Sequence, residues 1–198
     1  AVRSLSVILA VEIDPSRAAA AIPHGTAYWD EMRPWLETGS GRESTPSLFV
    51  PEHLLHLAAF TGLSAATAGW AGLVLGCYLL SYMSFYVAQV MMRAQHPLLA
   101  GLLAWHPWSV ARVVSFVMLG VSCSRLMLDR LGPRRWWAAE RGSLALAGLL
   151  WIVDLVLKMA LAPSWPIGFS TMMRDRWVAR PSAPSRRCGR WWPISTRR

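Results

Sequence analysis

From Leu57 to Met92 the chain runs for 36 residues without one charged side chain. A helix needs only about 20 apolar residues to cross a hydrocarbon core of roughly 30 Å. Water-soluble domains seldom carry such a run, because nearly every helix or strand must turn a polar face to solvent. The run therefore predicts an integral membrane protein. As one straight helix it would extend about 54 Å at 1.5 Å per residue, well beyond a single crossing. Two crossings and a turn barely fit, and no Pro or Asn-Gly breaks the run. The sequence reads best as one tilted span near 66–90, entered through an interfacial stretch at 52–65.

Two more segments have the length and polarity of spans, at 109–128 and 142–162. Between the first and second lies HPLLAGLLAWHPW (96–108), apolar but interrupted by Pro97 and Pro107, which suits an interfacial or re-entrant piece. The expected fold is an all-α membrane protein with about three transmembrane or membrane-embedded helices. An acidic extramembrane segment (1–51) would precede a membrane region (52–162), and a basic tail rich in Arg, Trp and Pro (163–198) would follow it. Residues 1–13 read as a short strand or interfacial helix. The stretch from Pro15 to Pro51 reads as extended, with one helical turn around 28–36.

Composition agrees. The chain is 54% hydrophobic and only 16% charged, against about 25% charged residues in ordinary globular domains. All but one of its 20 basic residues are Arg, the exception being Lys158. With abundant Ala, Gly, Pro and Trp, that usage points to a GC-rich bacterial genome. The expected location is the bacterial inner membrane, cytoplasmic or intracytoplasmic, crossed several times. Arg125, Arg130, Arg134, Arg135 and Arg141 crowd the loop after the second span, which assigns that loop to the cytoplasm and the 93–108 connection to the outside. With one span before that connection, the N-terminal segment would lie inside. The three cysteines form no CxxC pair, so neither a disulfide framework nor a zinc site is implied.

Several residues carry sharper possibilities. Gly62, Ala65, Gly69, Gly72 and Gly76 are spaced three and four apart, and Gly72 and Gly76 form a GxxxG. On one helix they would share a face through which another helix could approach closely in lipid. Asp154 and Lys158 stand i,i+4 in the favourable order for an intramembrane ion pair, either mutually neutralising or serving as an ion or proton relay. His53 and His56 could share a ligand at the mouth of the first span, and His96 and His106 each precede a proline. Any of the four could ligate a metal, a haem or a chlorophyll-type pigment. Tryptophans flank the spans at belt positions.

No catalytic signature, P-loop, dinucleotide fingerprint or nucleic-acid motif is present, so neither a nucleic-acid partner nor a small-molecule substrate is identified. The leading expectation is an accessory, structural subunit of a larger bacterial membrane complex, bioenergetic or photosynthetic. Its partners would be membrane lipids and other integral membrane subunits. The alternatives are a small membrane enzyme or ion carrier using Asp154 and Lys158, and a haem- or chlorophyll-binding subunit.

Overall fold

The computed structural model describes residues 2–22, 24–128 and 132–167. The expected basic tail at 163–198 falls almost entirely outside the described residues. Eight α-helices and one 3-10 turn account for the described chain, with no strand among those residues. They are α1 (Val2–Ile13), α2 (Pro15–Ala21), α3 (Gly25–Thr38), the 3-10 turn Arg42–Ser44, α4 (Pro46–Ala66), α5 (Trp70–Met91), α6 (Pro97–Ala104), α7 (Pro107–Leu128) and α8 (Pro133–Leu161).

Proline opens five of these helices, at Pro15, Pro46, Pro97, Pro107 and Pro133. Its fixed φ suits the first helical turn, and the N–H it lacks would have had no partner there. Helix α2 is also capped by Asp14, whose carboxylate accepts from Ser16 N and Arg17 N. The expectation of an extended segment from Pro15 to Pro51 is thus corrected. Of the prolines that read as breakers, Pro15 and Pro46 start helices while Pro34 and Pro51 lie within them, and Val2–Ile13 is helical as well.

The uncharged run is not one helix. It folds back at Thr67–Gly69, where Ala68 (φ 51°) and Gly69 (φ 89°) both adopt left-handed backbone. Helix α4 then lies antiparallel to α5. A Cβ on Gly72 would collide with Ser64 Oγ, and one on Gly76 would sit 3.5 Å from Phe60. Two helices fit because α4 begins at Pro46, before the last acid, so the hairpin uses more chain than the uncharged stretch. Residues 52–65 belong to a helix of the bundle. The residues before α4 consequently lie at the same end as the α5–α7 connection, the opposite of what one crossing implies.

Helix α7 runs parallel to α4, with Phe60 and Phe116 stacked at 4.9 Å between ring centroids. Helix α8 returns antiparallel to α7. Ser115 Oγ donates to Ala147 O at 2.8 Å, and Ser122 Oγ to Glu140 Oε2 at 2.7 Å. The central frame is therefore an up-down arrangement of α4, α5, α7 and α8. Helices α1, α3 and α6 gather at the end where α5 finishes and α7 starts. There they enclose an aromatic core that includes Trp35, Tyr86 and Trp108, each 0% exposed.

Helices α5, α7 and α8 are long and apolar enough to span a membrane. The most apolar 18-residue stretch among the three lies in α8, at mean hydropathy 2.1, yet only 17% of it is buried. Its inward face carries Glu140, Ala147, Asp154 and Lys158, while Leu146, Leu149, Ile152, Val156 and Met159 point outward. That is the reverse of a water-soluble amphipathic helix.

Candidate functional site

At the end of the frame where α4 and α7 begin, ionisable side chains from four elements meet. Helix α7 supplies Arg112, whose Nε and Nη2 donate to the two carboxylate oxygens of Asp154 on α8 at 2.9 and 2.8 Å. This is the bidentate fork that suits a planar guanidinium. Asp154 is 0% exposed. One turn further along α8, Lys158 is 1% exposed and reaches Glu43 of the 3-10 turn at 2.7 Å. Its ammonium also lies 4.4 Å above the Phe49 ring and 3.4 Å from His53 Nε2.

Asp154 and Lys158 thus form no salt bridge with each other. Each takes its charge partner from a different element, and the i,i+4 spacing only sets both on the buried face of α8. Together they tie the 3-10 turn and α7 to α8. Because an ammonium cannot accept a hydrogen bond, His53 Nε2 must accept, leaving the ring proton on Nδ1. That Nδ1 is buried against the backbone of α4 at Phe49, one turn earlier.

Nearer the surface, one guanidinium serves two carboxylates. Arg42 lies 3.0 Å from Glu31 of α3 and 3.1 Å from Glu52 of α4, with all three side chains partly exposed. Tyr28, Tyr82 and His56 share a cavity with Glu31, Glu52 and Arg112.

Of these groups, Glu31, Glu43, Glu52, His53 and Arg112 line the polar end of a half-open cavity of about 650 Å³. Its other end is apolar, running between the α4/α5 hairpin and α7 past Phe60, Leu73, Gly76, Val117, Gly120 and Val121 to Leu128. Gly72, Gly76 and Gly120 line it too, where a side chain on any of them would meet Ser64 or Phe60 of α4. Pockets of this volume hold small ligands in many proteins.

The predicted docking residues divide between the helices of the hairpin. Gly69 sits in the turn, where a Cβ would meet Ser124 at 3.1 Å, and Gly72 and Gly76 pack on Ser64 and Phe60 of α4. Gly62 is exposed and would meet nothing within 4 Å, and Ala65 is half-buried beside it on α4. The five do not share one helical face, since the chain reverses between Ala65 and Gly72. Much of this small-residue surface is spent inside the protein.

The histidines separate similarly. His53 and His56 line the cavity together with His106, whereas His96 is exposed at the start of α6. His106 is 1% exposed, stacks on Trp108 at 4.5 Å and lies 3.4 Å from Tyr86 Oη through Nε2. Burial pushes its pKa down to about 3, with the Lys158 and Arg112 charges acting in the same direction. Burial also raises the Tyr28 hydroxyl well above its ordinary value. His56 makes no hydrogen bond among the described residues, which leaves its ring free to meet a ligand. No three His, Cys, Asp or Glu side chains among the described residues gather as a metal site.

Arg112 and Glu43 are the functional candidates that sequence reasoning passed over. Arg112 could have been found as the charge facing Asp154, since the first half of the second span holds no other. Nothing local marks Glu43. Comparison of the chain with protein-family models, curated proteins and solved structures finds no match.

Proposed function

We propose that the chain is a multi-pass membrane protein that takes an amphipathic, lipid-dissolved ligand into the cavity between the α4/α5 hairpin and α7. The observation that carries this reading is the change in lining along one cavity, from charged side chains at one end to bare apolar groove at the other. The outward apolar faces of α5, α7 and α8 support residence in lipid, where such a ligand would enter sideways. Arg125, Arg134, Arg135 and Arg141 lie at the frame's opposite end, so the positive-inside tendency turns the charged end of the cavity away from the cytoplasm. The chemistry fits a binding protein or carrier. The Asp154 and Lys158 charges serve it by holding Arg112 and Glu43 at the cavity wall.

The test is to purify the protein in mild detergent and identify retained amphiphiles by mass spectrometry. A Gly76→Leu variant fills the groove, and its Cβ makes only an ordinary contact with Phe60. Loss of retained amphiphile in that variant, with wild-type retention intact, is the expected result. Equal retention by both proteins would sink the reading.

The accessory-subunit reading keeps one observation of its own. Gly62, Gly142 and Gly148 each face open space, as a surface awaiting a neighbouring helix would. It predicts that Gly62→Leu releases a co-purifying membrane subunit while the chain itself stays folded. A pigment or haem would use His56, the cavity histidine whose ring is free, and an absorption spectrum of the purified protein decides that point.

A further inference from the structure

Helix α8 is 29 residues long, about 44 Å at 1.5 Å per residue. A hydrocarbon core of roughly 30 Å takes up only about 20 of those residues. With the apolar part at 142–161 in the core, Pro133–Arg141 stands out of it, at the end of the bundle away from the charged end of the cavity. On this projecting piece Arg134, Arg135 and Arg141 are exposed and enter no ion pair among the described residues. The carboxylate beside them in sequence, Glu140, is turned inward at 3% exposure and already meets Ser122 and Arg125, each at 2.7 Å. Arg17, Arg33 and Arg42, by contrast, each have a carboxylate partner. The start of α8 therefore holds three positive charges for which the described residues supply no compensation.

The charges also continue into an apolar stripe. At about 100° per residue, Arg134, Trp137, Arg141, Ala145, Gly148 and Ile152 fall within an arc of about 80°, and all six are exposed. A Cβ at Gly148 would meet nothing within 4 Å. One outward face of α8 thus reads cation, indole, cation, then small and apolar residues, in the order of a lipid standing in one leaflet.

We propose that this face of α8 binds one phospholipid whose headgroup carries a net negative charge. Arg134 and Arg141 stand two turns apart, about 10 Å along the helix, and bracket the headgroup, a guanidinium fork being matched to phosphate oxygens. Trp137 lies between them at the depth where an indole's apolar body and N–H both find partners. The acyl chain runs past Ala145 and Gly148 to Ile152. A zwitterionic headgroup brings its own cation and leaves the arginines unbalanced, whereas a net anion compensates them. This is the end that the positive-inside tendency turns to the cytoplasm, where the leaflet carries anionic lipid. The inference rests on the membrane residence of α8 and is independent of what the cavity holds.

The test equilibrates full-length protein in mixed micelles with equal amounts of glycerol and choline phospholipids of matched chains, at low salt, and reads retained lipid by native mass spectrometry. The wild type is expected to enrich the anionic glycerol lipid by more than tenfold. Arg134→Gln/Arg141→Gln, which breaks no contact within the described protein, should remove most of that enrichment, at about fivefold for each basic residue. Arg17→Gln deletes the same charge elsewhere and should leave the enrichment unchanged. Equal retention of the two lipids by the wild type overturns the inference, as does an enrichment that survives in the double variant or falls equally in Arg17→Gln. Anionic lipid lost from Gly76→Leu but kept by the arginine variant belongs to the cavity, and overturns the α8 site while leaving the cavity reading standing. Loss of a co-purifying protein from the arginine variant, with lipid preference unchanged, assigns the face to a protein neighbour and overturns it too. A wild type that stays monodisperse without detergent or lipid removes membrane residence, and both readings fall together.

Discussion

Replacing Arg112 with Met tests the charged layer most directly. The substitution keeps much of the side chain's length and removes both hydrogen bonds to Asp154, at 2.9 and 2.8 Å. Asp154 is fully buried and Arg112 is 23% exposed at its side chain, so solvent cannot replace the lost partner. Hydrogen bonds to charged groups each contribute about 1.5–3 kcal/mol, and breaking a buried pair by removing one member costs about 3–5 kcal/mol. In lipid the unfolded chain also finds partners, which argues for the lower end, about 3 kcal/mol. Equilibrium unfolding in mixed micelles, followed by tryptophan fluorescence, gives the number. The double variant Arg112→Met/Asp154→Leu should recover most of the loss, because the penalty is the stranded carboxylate and not the absent pair. A single-variant cost under about 1 kcal/mol, or a double variant no better than the single one, would refute the reasoning.

The remaining predictions concern the hairpin, acid and the 3-10 turn. Gly72→Ala should destabilise by about 1–3 kcal/mol through its collision with Ser64 Oγ, and Ser64→Gly in the same chain should relieve it. Ala68→Gly should be neutral or raise stability by up to about 1 kcal/mol, since an alanine at φ 51° carries strain that glycine lacks. His106 is held neutral with a folded pKa of about 3 against about 6.5 unfolded. Between those values the unfolded chain binds the extra proton, so this contribution is complete above pH 6.5 and lost progressively as pH falls towards 3. Thermal unfolding across that range should show a steeper acid decline for wild type than for His106→Phe. Glu43→Gln should speed amide hydrogen exchange at residues 42–44 by loosening their attachment to Lys158.

Much of the frame is legible in the sequence. The second and third spans are foreseen near 109–128 and 142–162, and the structure has helices at Pro107–Leu128 and Pro133–Leu161. Their polarity signals length directly. The hairpin is hidden because its turn, Thr-Ala-Gly, carries no Pro or Asn, and because Pro46 starts a helix while charges are still present. Glu52 and His53 read as the mouth of the first span, and the structure sets one at the cavity rim and the other in its wall. Sequence also shows which charges are expensive, Asp154 and Lys158, without showing what they meet. Their partners lie 42 and 115 positions away along the chain, and only the folding of α7 and of the 3-10 turn against α8 brings them together.

The burial of Lys158 has a practical consequence. It is the chain's one lysine and is 1% exposed beneath the Glu43 contact. Amine-directed reagents therefore have one side chain to modify, and the folded protein conceals it. Attachment of such a reagent at that position would record each opening of the contact between the 3-10 turn and α8. The lysine becomes a built-in clock for local breathing, with no label engineered into the chain.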